Sequence, residues 1–209
     1  MIKDQIIVLD DLIPKNLQDE IENVLTGPEF PWYMTCHKNK DGEFITSDYS
    51  QNKKFDNNNN VKDIGQLVHI FMKIGNDERL GDNITIRSPY FDFILSVLEL
   101  ATKKYDLKNV LVKRIKSNLK TTSQKFNKDS FGTPHRDYDK SHFVLIYYVN
   151  DSDGDTFIFD NEDDLNITKR ITPKKGRVLL FDGKYYHAAG NPVDSNYRII
   201  VNYDFTIDE

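Results

Sequence analysis

Cysteine occurs once in this chain, at Cys36. No disulfide can close within it, and a structural zinc site built on several thiolates is excluded. Nowhere do about 18 apolar residues run together, so no membrane-spanning helix is expected. The opening MIKDQIIVLDDL has too short an apolar run for a signal peptide and meets an acidic pair at once. A soluble, cytoplasmic protein is therefore expected. Positive charge is not in surplus either. The 28 basic residues face 33 acidic ones, a net charge of −5 that gives no strong nucleic-acid signal and no attraction to anionic membranes. No internal repeat is visible.

What is present is ordinary globular material: 38% hydrophobic and 29% charged residues in 209, enough for one domain with a sizeable core. Charge is uneven along it. Lys and Arg crowd Lys103 to Lys140, and Asp and Glu crowd Asp151 to Asp164. Both spans read as solvated surface, although the basic one could face an acidic partner.

Periodicity divides the chain in two. Gln5 to Leu9 predicts a short strand. Pro14 opens a helix with Leu17, Ile21, Val24 and Leu25 on one face, ending near Gly27-Pro28. PEFPWYM, broken by two prolines, reads as extended chain or an edge strand, and Asp56 to Asn60 as a loop. Gln66 to Ile74 is apolar throughout and fits strand or helix equally. Ser88-Pro89 predicts a helix start, with Ser as N-cap, burying Phe91, Ile94, Val97, Leu98 and Ala101. From Asn109 the texture turns to strands. VLVKRIKSNL alternates at period two, and HFVLIYYVN is a strand covered on both faces. Asp153-Gly154 predicts a hairpin into DTFIFD; two further strand pieces fill ITPKKGRVLLFDGKYYH, and YRIIVNYDF is the last. Helices first and many short strands after them predict an α+β protein with a β-sandwich or barrel core.

The chemistry-bearing residues gather in that second half. In FGTPHRDYD, His135 and Asp137 are two apart, so on a strand they point to one side. Of the other histidines, His69 sits in an apolar run and reads as a satisfied core residue, and His142 as polar punctuation before a strand. His187, 50 residues beyond Asp137, closes the unit GRVLLFDGKYYH and is the better partner. Two imidazoles and one carboxylate leave metal positions open, which suits Fe(II) and its oxygen chemistry. Zn(II) is the geometric rival. Eleven positions past His187, Arg198 shares a strand face with Ile200 and Asn202. An Arg on an apolar core strand is costly unless it meets an anion, and its fork suits a carboxylate.

The set His135, Asp137, His187 and Arg198 resembles the signature of the 2-oxoglutarate/Fe(II)-dependent dioxygenases. LIYYVNDSDGDTFIF, ITPKKGRVLLFDGKYYHAAGNPV and YRIIVNYDF are similar, in that order, to the prolyl 4-hydroxylase branch. IIVLDDLIP and FPWYM resemble small phage and bacterial enzymes of this type. The resemblance covers Val110 to Phe205 and implies a double-stranded β-helix (jelly-roll, cupin-like) core with N-terminal supporting helices. Residues 1–108 would supply the helices and flanking strands of one domain, and 109–209 the catalytic core. It also implies that His135, Asp137 and His187 hold Fe(II). Arg198 would bind the distal carboxylate of 2-oxoglutarate and Tyr148 would add a hydroxyl, with Thr156, Asn118 and Asn202 as lining residues. Dioxygen would be the second cosubstrate and ascorbate a reductant. The implied reaction hydroxylates a C–H bond, first of all on a peptidyl proline, releasing succinate and CO2. A free amino acid, a small metabolite or a nucleobase is the alternative substrate, so the partner is a protein, peptide or small molecule. A non-catalytic metal-binding jelly-roll, with Arg198 satisfied by Asp204, is the alternative from another class. The polar segment Lys120 to Ser130, expected to border the site, replaces the Tyr often found upstream in prolyl hydroxylases.

Overall fold

The computed structural model describes residues 2–35, 37–38, 44–45, 60–77, 81–161 and 165–207. Cys36, Asp56 to Asn59 and the acidic residues 162–164 lie outside them. The described residues form thirteen strands and two helices in the order β1 (Ile6–Leu9), α1 (Lys15–Thr26), β2 (Tyr33–Thr35), β3 (His37–Lys38), β4 (Phe44–Ile45), β5 (Gln66–Asp77), β6 (Gly81–Arg87), α2 (Phe91–Lys104), β7 (Val110–Thr121), β8 (Phe143–Tyr148), β9 (Thr156–Phe159), β10 (Ile167–Ile171), β11 (Val178–Asp182), β12 (Tyr186–Ala189) and β13 (Tyr197–Ile207). Eight strands form one antiparallel sheet in the order β1-β11-β8-β13-β7-β5-β2, with β6 added on β5. A smaller sheet, β10-β9-β12, faces it. Its fourth member is the single bridge of His135 with His187, supported by Gly132 N–H on the Ala189 carbonyl at 2.9 Å. Two facing antiparallel sheets wound this way make a jelly-roll.

Strand alternation sorts the side chains into layers. On the outer face of the large sheet, Tyr147, Ile199, Val201 and Tyr203 pack with Ile21 and Leu25 of α1 and with Ile94, Val97 and Leu98 of α2. Each such fully buried side chain contributes about 1.5–3 kcal/mol. The Tyr203 hydroxyl donates to the Ile94 carbonyl at 2.8 Å and pins α2 down. On the inner face Val144, Ile146, Tyr148 and Ile200 meet Ile158 and Ile171 of the small sheet. Tyr147 and Tyr148 thus serve opposite layers although they are neighbours. Among the described residues no helix is long and apolar enough to cross a membrane.

Two local expectations change and one open reading is decided. Helix α2 begins at Phe91, two residues after the Pro of Ser88-Pro89. The Ser88 hydroxyl is shared between the Tyr90 N–H at 3.2 Å and His69 Nε2 at 2.9 Å, so it braces the entry to the helix from outside. Gln66 to Ile74 is strand, the first nine residues of β5. Asp153-Gly154 makes no hairpin, because β8 belongs to the large sheet and β9 to the small one. Asp153 accepts the N–H groups of Val193, Asp194 and Ser195 and ties the crossover to that loop. Glycine is needed at 154 for close approach. A Cβ there would lie 2.8 Å from the Pro192 nitrogen and 3.0 Å from Arg198 Cδ.

Candidate metal centre and anion pocket

Strand β13 carries the centre of the site. Arg198, Ile200 and Asn202 line the cavity between the sheets, while Ile199 and Val201 face the helices. Opposite them on β7 stand Lys120, Asn118 and Lys116, in register with Arg198, Ile200 and Asn202. The cavity is small, about 70 Å³, and opens to solvent.

At one end lie His135, Asp137 and His187. One ligand atom from each falls within 4.8 Å of the other two. The backbone bridge makes this possible, because His135 and His187 exchange N–H···O bonds of 3.0 and 2.9 Å and their ring centroids sit 4.6 Å apart. His135 Nδ1 lies 2.9 Å from the Thr133 carbonyl, which only accepts. That contact places the proton on Nδ1 and leaves Nε2 with a lone pair for a metal. His187 Nε2 is 3.3 Å from Asp137 Oδ2. The expected strand through both His135 and Asp137 is absent: His135 makes a single bridge and Asp137 sits in a bend. Other groups turn the carboxylate inward. Arg114 Nη2 holds Oδ1, and Asn202 Nδ2 donates to Oδ2 at 3.2 Å.

The same Arg114 also donates through Nε to Asp204 Oδ2 at 2.7 Å, so one guanidinium serves two buried carboxylates. Burial works to raise the Asp137 carboxyl, but Arg114 and then His187 overcome it and hold it well below the usual range. For Asp204 burial wins, aided by the Asp137 charge, and pushes the carboxyl up to about 7. Arg114 therefore keeps the candidate ligand ionised, the form that binds metal.

At the other end Arg198 is 1% exposed, and burial lowers the pKa of its guanidinium. Its Nη2 donates to Thr156 Oγ1 at 2.8 Å, and Tyr148 Oη lies 2.7 Å from the same oxygen. Arg198 Nε has no hydrogen-bond partner among the described residues. Burial pushes the Tyr148 phenol up to about 12, so it stays protonated. One hydroxyl hydrogen serves the Tyr148–Thr156 contact and the other is left over. Together with Arg198 Nε, which meets no acceptor among the described residues, the cluster has donor capacity left for a ligand. Such an arrangement suits an incoming anion. Asp204, the carboxylate that would satisfy Arg198 in a binding module, is committed to Arg114 instead.

Of the sequence-derived candidates, His135, His187, Arg198, Thr156, Asn118 and Asn202 line this cavity, and Asp137 and Tyr148 reach it through His187 and Thr156. Asn118 lines it with Nδ2 on Gln66 Oε1 at 2.9 Å. His69 is a core residue bound to the Pro31 carbonyl and Ser88, and His142 packs edge-on against Tyr138. Sequence reasoning missed Arg114, Lys116, Lys120 and Gln66; the only signal was the period-two spacing of the basic residues on β7. Of the segment Lys120 to Ser130, Lys120 alone lines the cavity. The rest is held away from it. Phe126 is buried, and Arg170 ties Asp129 and the Lys128 carbonyl to Asp155.

No family model matches the sequence, and no curated protein does either. Solved structures do match. An oxidoreductase of the 2OG-Fe(II) oxygenase family from Burkholderia pseudomallei superposes with a TM-score of 0.66 at 13% identity, covering 96% of this chain and 84% of that one. A prolyl hydroxylase from Trichoplax adhaerens, solved with a hypoxia inducible factor peptide, gives 0.58 at 15% identity, covering 97% and 83%. The alpha ketoglutarate dependent epimerase SnoN from nogalamycin biosynthesis gives 0.55 at 11%, covering 98% and 78%. At such identities the common property is the fold. The expected double-stranded β-helix is therefore the fold of this chain.

Proposed function

We propose that this chain, built on the double-stranded β-helix of those oxygenases, is a 2-oxoglutarate- and Fe(II)-dependent dioxygenase. The reaction is hydroxylation of a C–H bond, with peptidyl proline as the substrate and succinate and CO2 as co-products. The observation that carries this reading is the pairing of two sites in one cavity. A two-His, one-carboxylate triad sits at one end, and at the other a buried guanidinium whose only side-chain hydrogen bond among the described residues goes to a hydroxyl. A carboxylate-bearing chelator that reaches both ends is the ligand such a cavity fits.

The donor set fits Fe(II): imidazole and carboxylate are borderline and hard ligands, and three of them leave positions open for a chelating cosubstrate and dioxygen. When bound, iron with 2-oxoglutarate and dioxygen supplies the oxidising power, with one oxygen atom going to the substrate and one to succinate. The chain's own residues position and insulate. Arg114 keeps Asp137 ionised and aims its Oδ2 at the metal position. Thr133 sets the His135 tautomer. Arg198, Thr156 and Tyr148 grip the distal carboxylate, and Ile146 and Ile200 line the space between the two ends.

The assay is Fe(II)-dependent conversion of 2-oxoglutarate to succinate, with mass spectrometry of proline-containing peptides for gain of one oxygen atom. Turnover that His187→Ala abolishes is expected. No succinate from the wild-type protein, or succinate formation untouched by that substitution, would overturn the reading.

A further inference from the structure

A buried polar atom that meets no partner is costly, so a cavity lined by several of them constrains what fills it. Among the described residues of this cavity, the atoms without a hydrogen-bond partner are Arg198 Nε, His187 Nδ1, Thr133 Oγ1, Asn118 Oδ1 and Asn202 Oδ1. The first three do not discriminate. Arg198 Nε donates, and belongs with the distal carboxylate. His187 Nδ1 carries the proton once Nε2 takes the metal, and the Thr133 hydroxyl serves either way. The two amide oxygens only accept.

Both oxygens are the ends left over from amides already anchored. Asn202 Nδ2 donates to Asp137 Oδ2 at 3.2 Å, and an ionised carboxylate can only accept, so the Asn202 carbonyl is the group without a partner. Asn118 Nδ2 is committed to Gln66 Oε1 at 2.9 Å. The residues are 4% and 8% exposed. Register makes them neighbours, because Asn118 stands opposite Ile200 and Asn202 follows two positions later on the same face of β13. Asn202 is therefore at the metal end and Asn118 midway toward Arg198. The cosubstrate cannot satisfy either one. The 2-oxoglutarate dianion carries two carboxylates and a ketone, all acceptors, and a metal ion brings no hydrogen. Two acceptors thus remain beside the metal position after both have bound, and the donor has to come from the substrate or from water.

We propose that Asn118 and Asn202 hold an N–H group of the substrate next to the carbon that is hydroxylated. This rests on the dioxygenase reading and narrows its substrate class. A prolyl residue within a peptide has no N–H of its own, so the donor is the amide of the residue that follows it. In a free amino acid the donor is the ammonium group.

The test is equilibrium binding to the full chain loaded with 2-oxoglutarate and a redox-inert divalent ion. Three probes are compared: a blocked Pro-Gly peptide, its depsipeptide counterpart with an ester oxygen in place of the glycine N–H, and free L-proline. Either the peptide binds at least about fivefold more tightly than the ester, or free proline binds saturably. The first outcome assigns the donor to the following amide, the second to the ammonium group. Asn118→Leu removes whichever preference is found, and Asn118→Asp, which keeps an acceptor, retains it. Equal binding of peptide and ester with none of free proline leaves the two oxygens to water and overturns the proposal, as does no binding of any probe. A preference that survives Asn118→Leu overturns it too, and so does loss of 2-oxoglutarate affinity in that variant, which would make Asn118 a cosubstrate contact. Should Asn118→Leu not fold, the comparison of peptide, ester and free proline on the wild type still decides. Binding of 2-oxoglutarate to the wild type is titrated beforehand. Its failure overturns the parent reading as well, whereas a missing N–H preference with 2-oxoglutarate bound overturns this one alone.

Discussion

Replacing Arg198 with Met should make the protein more stable and less able to bind its cosubstrate, two effects of opposite sign from one substitution. The guanidinium is 1% exposed and its side chain hydrogen-bonds only to Thr156 among the described residues. Methionine keeps much of the length and apolar body but removes the charge. The loss is one charge-assisted hydrogen bond, about 1.5–3 kcal/mol. Against it stands the relief of burying a cation whose desolvation costs several kcal/mol. Tyr148 and Thr156 still satisfy each other. The ligand-free protein should therefore be unchanged or gain about 1–3 kcal/mol, with Tm rising by roughly 2–4 °C per kcal/mol at this chain length.

Cosubstrate binding moves the other way. A distal carboxylate loses two charge-assisted hydrogen bonds, about 3–6 kcal/mol together and at least roughly 100-fold in Kd. Thermal melting with a redox-inert divalent ion, with and without 2-oxoglutarate, reads both effects. At a ligand concentration about 100 times its Kd the wild type gains about 2.7 kcal/mol, while the variant at that concentration gains a few tenths. A variant that melts several degrees lower yet keeps the full ligand shift would show that Arg198 is an ordinary structural residue, and the argument from its unmatched charge would fail.

Thr156→Val takes away the oxygen on which Tyr148 and Arg198 meet; it should raise the KM for 2-oxoglutarate roughly 5–30-fold with little change in kcat, read from succinate formation, and an unchanged KM would count against the cluster as an anion grip. Asp204 gives a pH signature in the metal-free protein. Its carboxyl is raised to about 7 when folded against about 3.9 when unfolded, so between those values the folded chain binds the extra proton and stability falls as pH rises. Asp137 is lowered, so its contribution is lost in the opposite direction, as pH falls below the usual carboxylate range. Asp204→Asn should flatten the slope between about pH 4 and 7 in denaturant titrations and leave the acid limb in place; a slope that persists would refute the assignment.

The residue types that carry chemistry were visible in the linear chain, because they violate local expectation there. An Arg amid YRIIVNYDF has no reason to sit on a core strand unless an anion waits for it, and His135 and Asp137 stood out as a close pair, although the strand expected to align them proved to be a bridge and a bend. Strand alternation set Tyr148 opposite Tyr147 and Arg198 opposite Ile199, since period two is a local property of the backbone, while the choice of Tyr148 over Tyr147 came from the family resemblance. Partners distant in sequence were another matter. Nothing near Arg114 announces that it will clamp both Asp137 and Asp204, 23 and 90 residues away. The hairpin read at Asp153-Gly154 was wrong for the same reason: turn residues specify a bend, while the sheet that receives the next strand depends on what pairs with it. The pattern of side chains along the chain thus determined which groups face inward and which chemistry they bring. Only the tertiary structure decided which carboxylate Arg114 keeps charged, which hydroxyl meets Arg198, and that Lys116 and Lys120 stand at opposite ends of one cavity. Those outcomes depend on through-space distance between segments whose separation along the chain carries no geometric information until the two sheets close on each other.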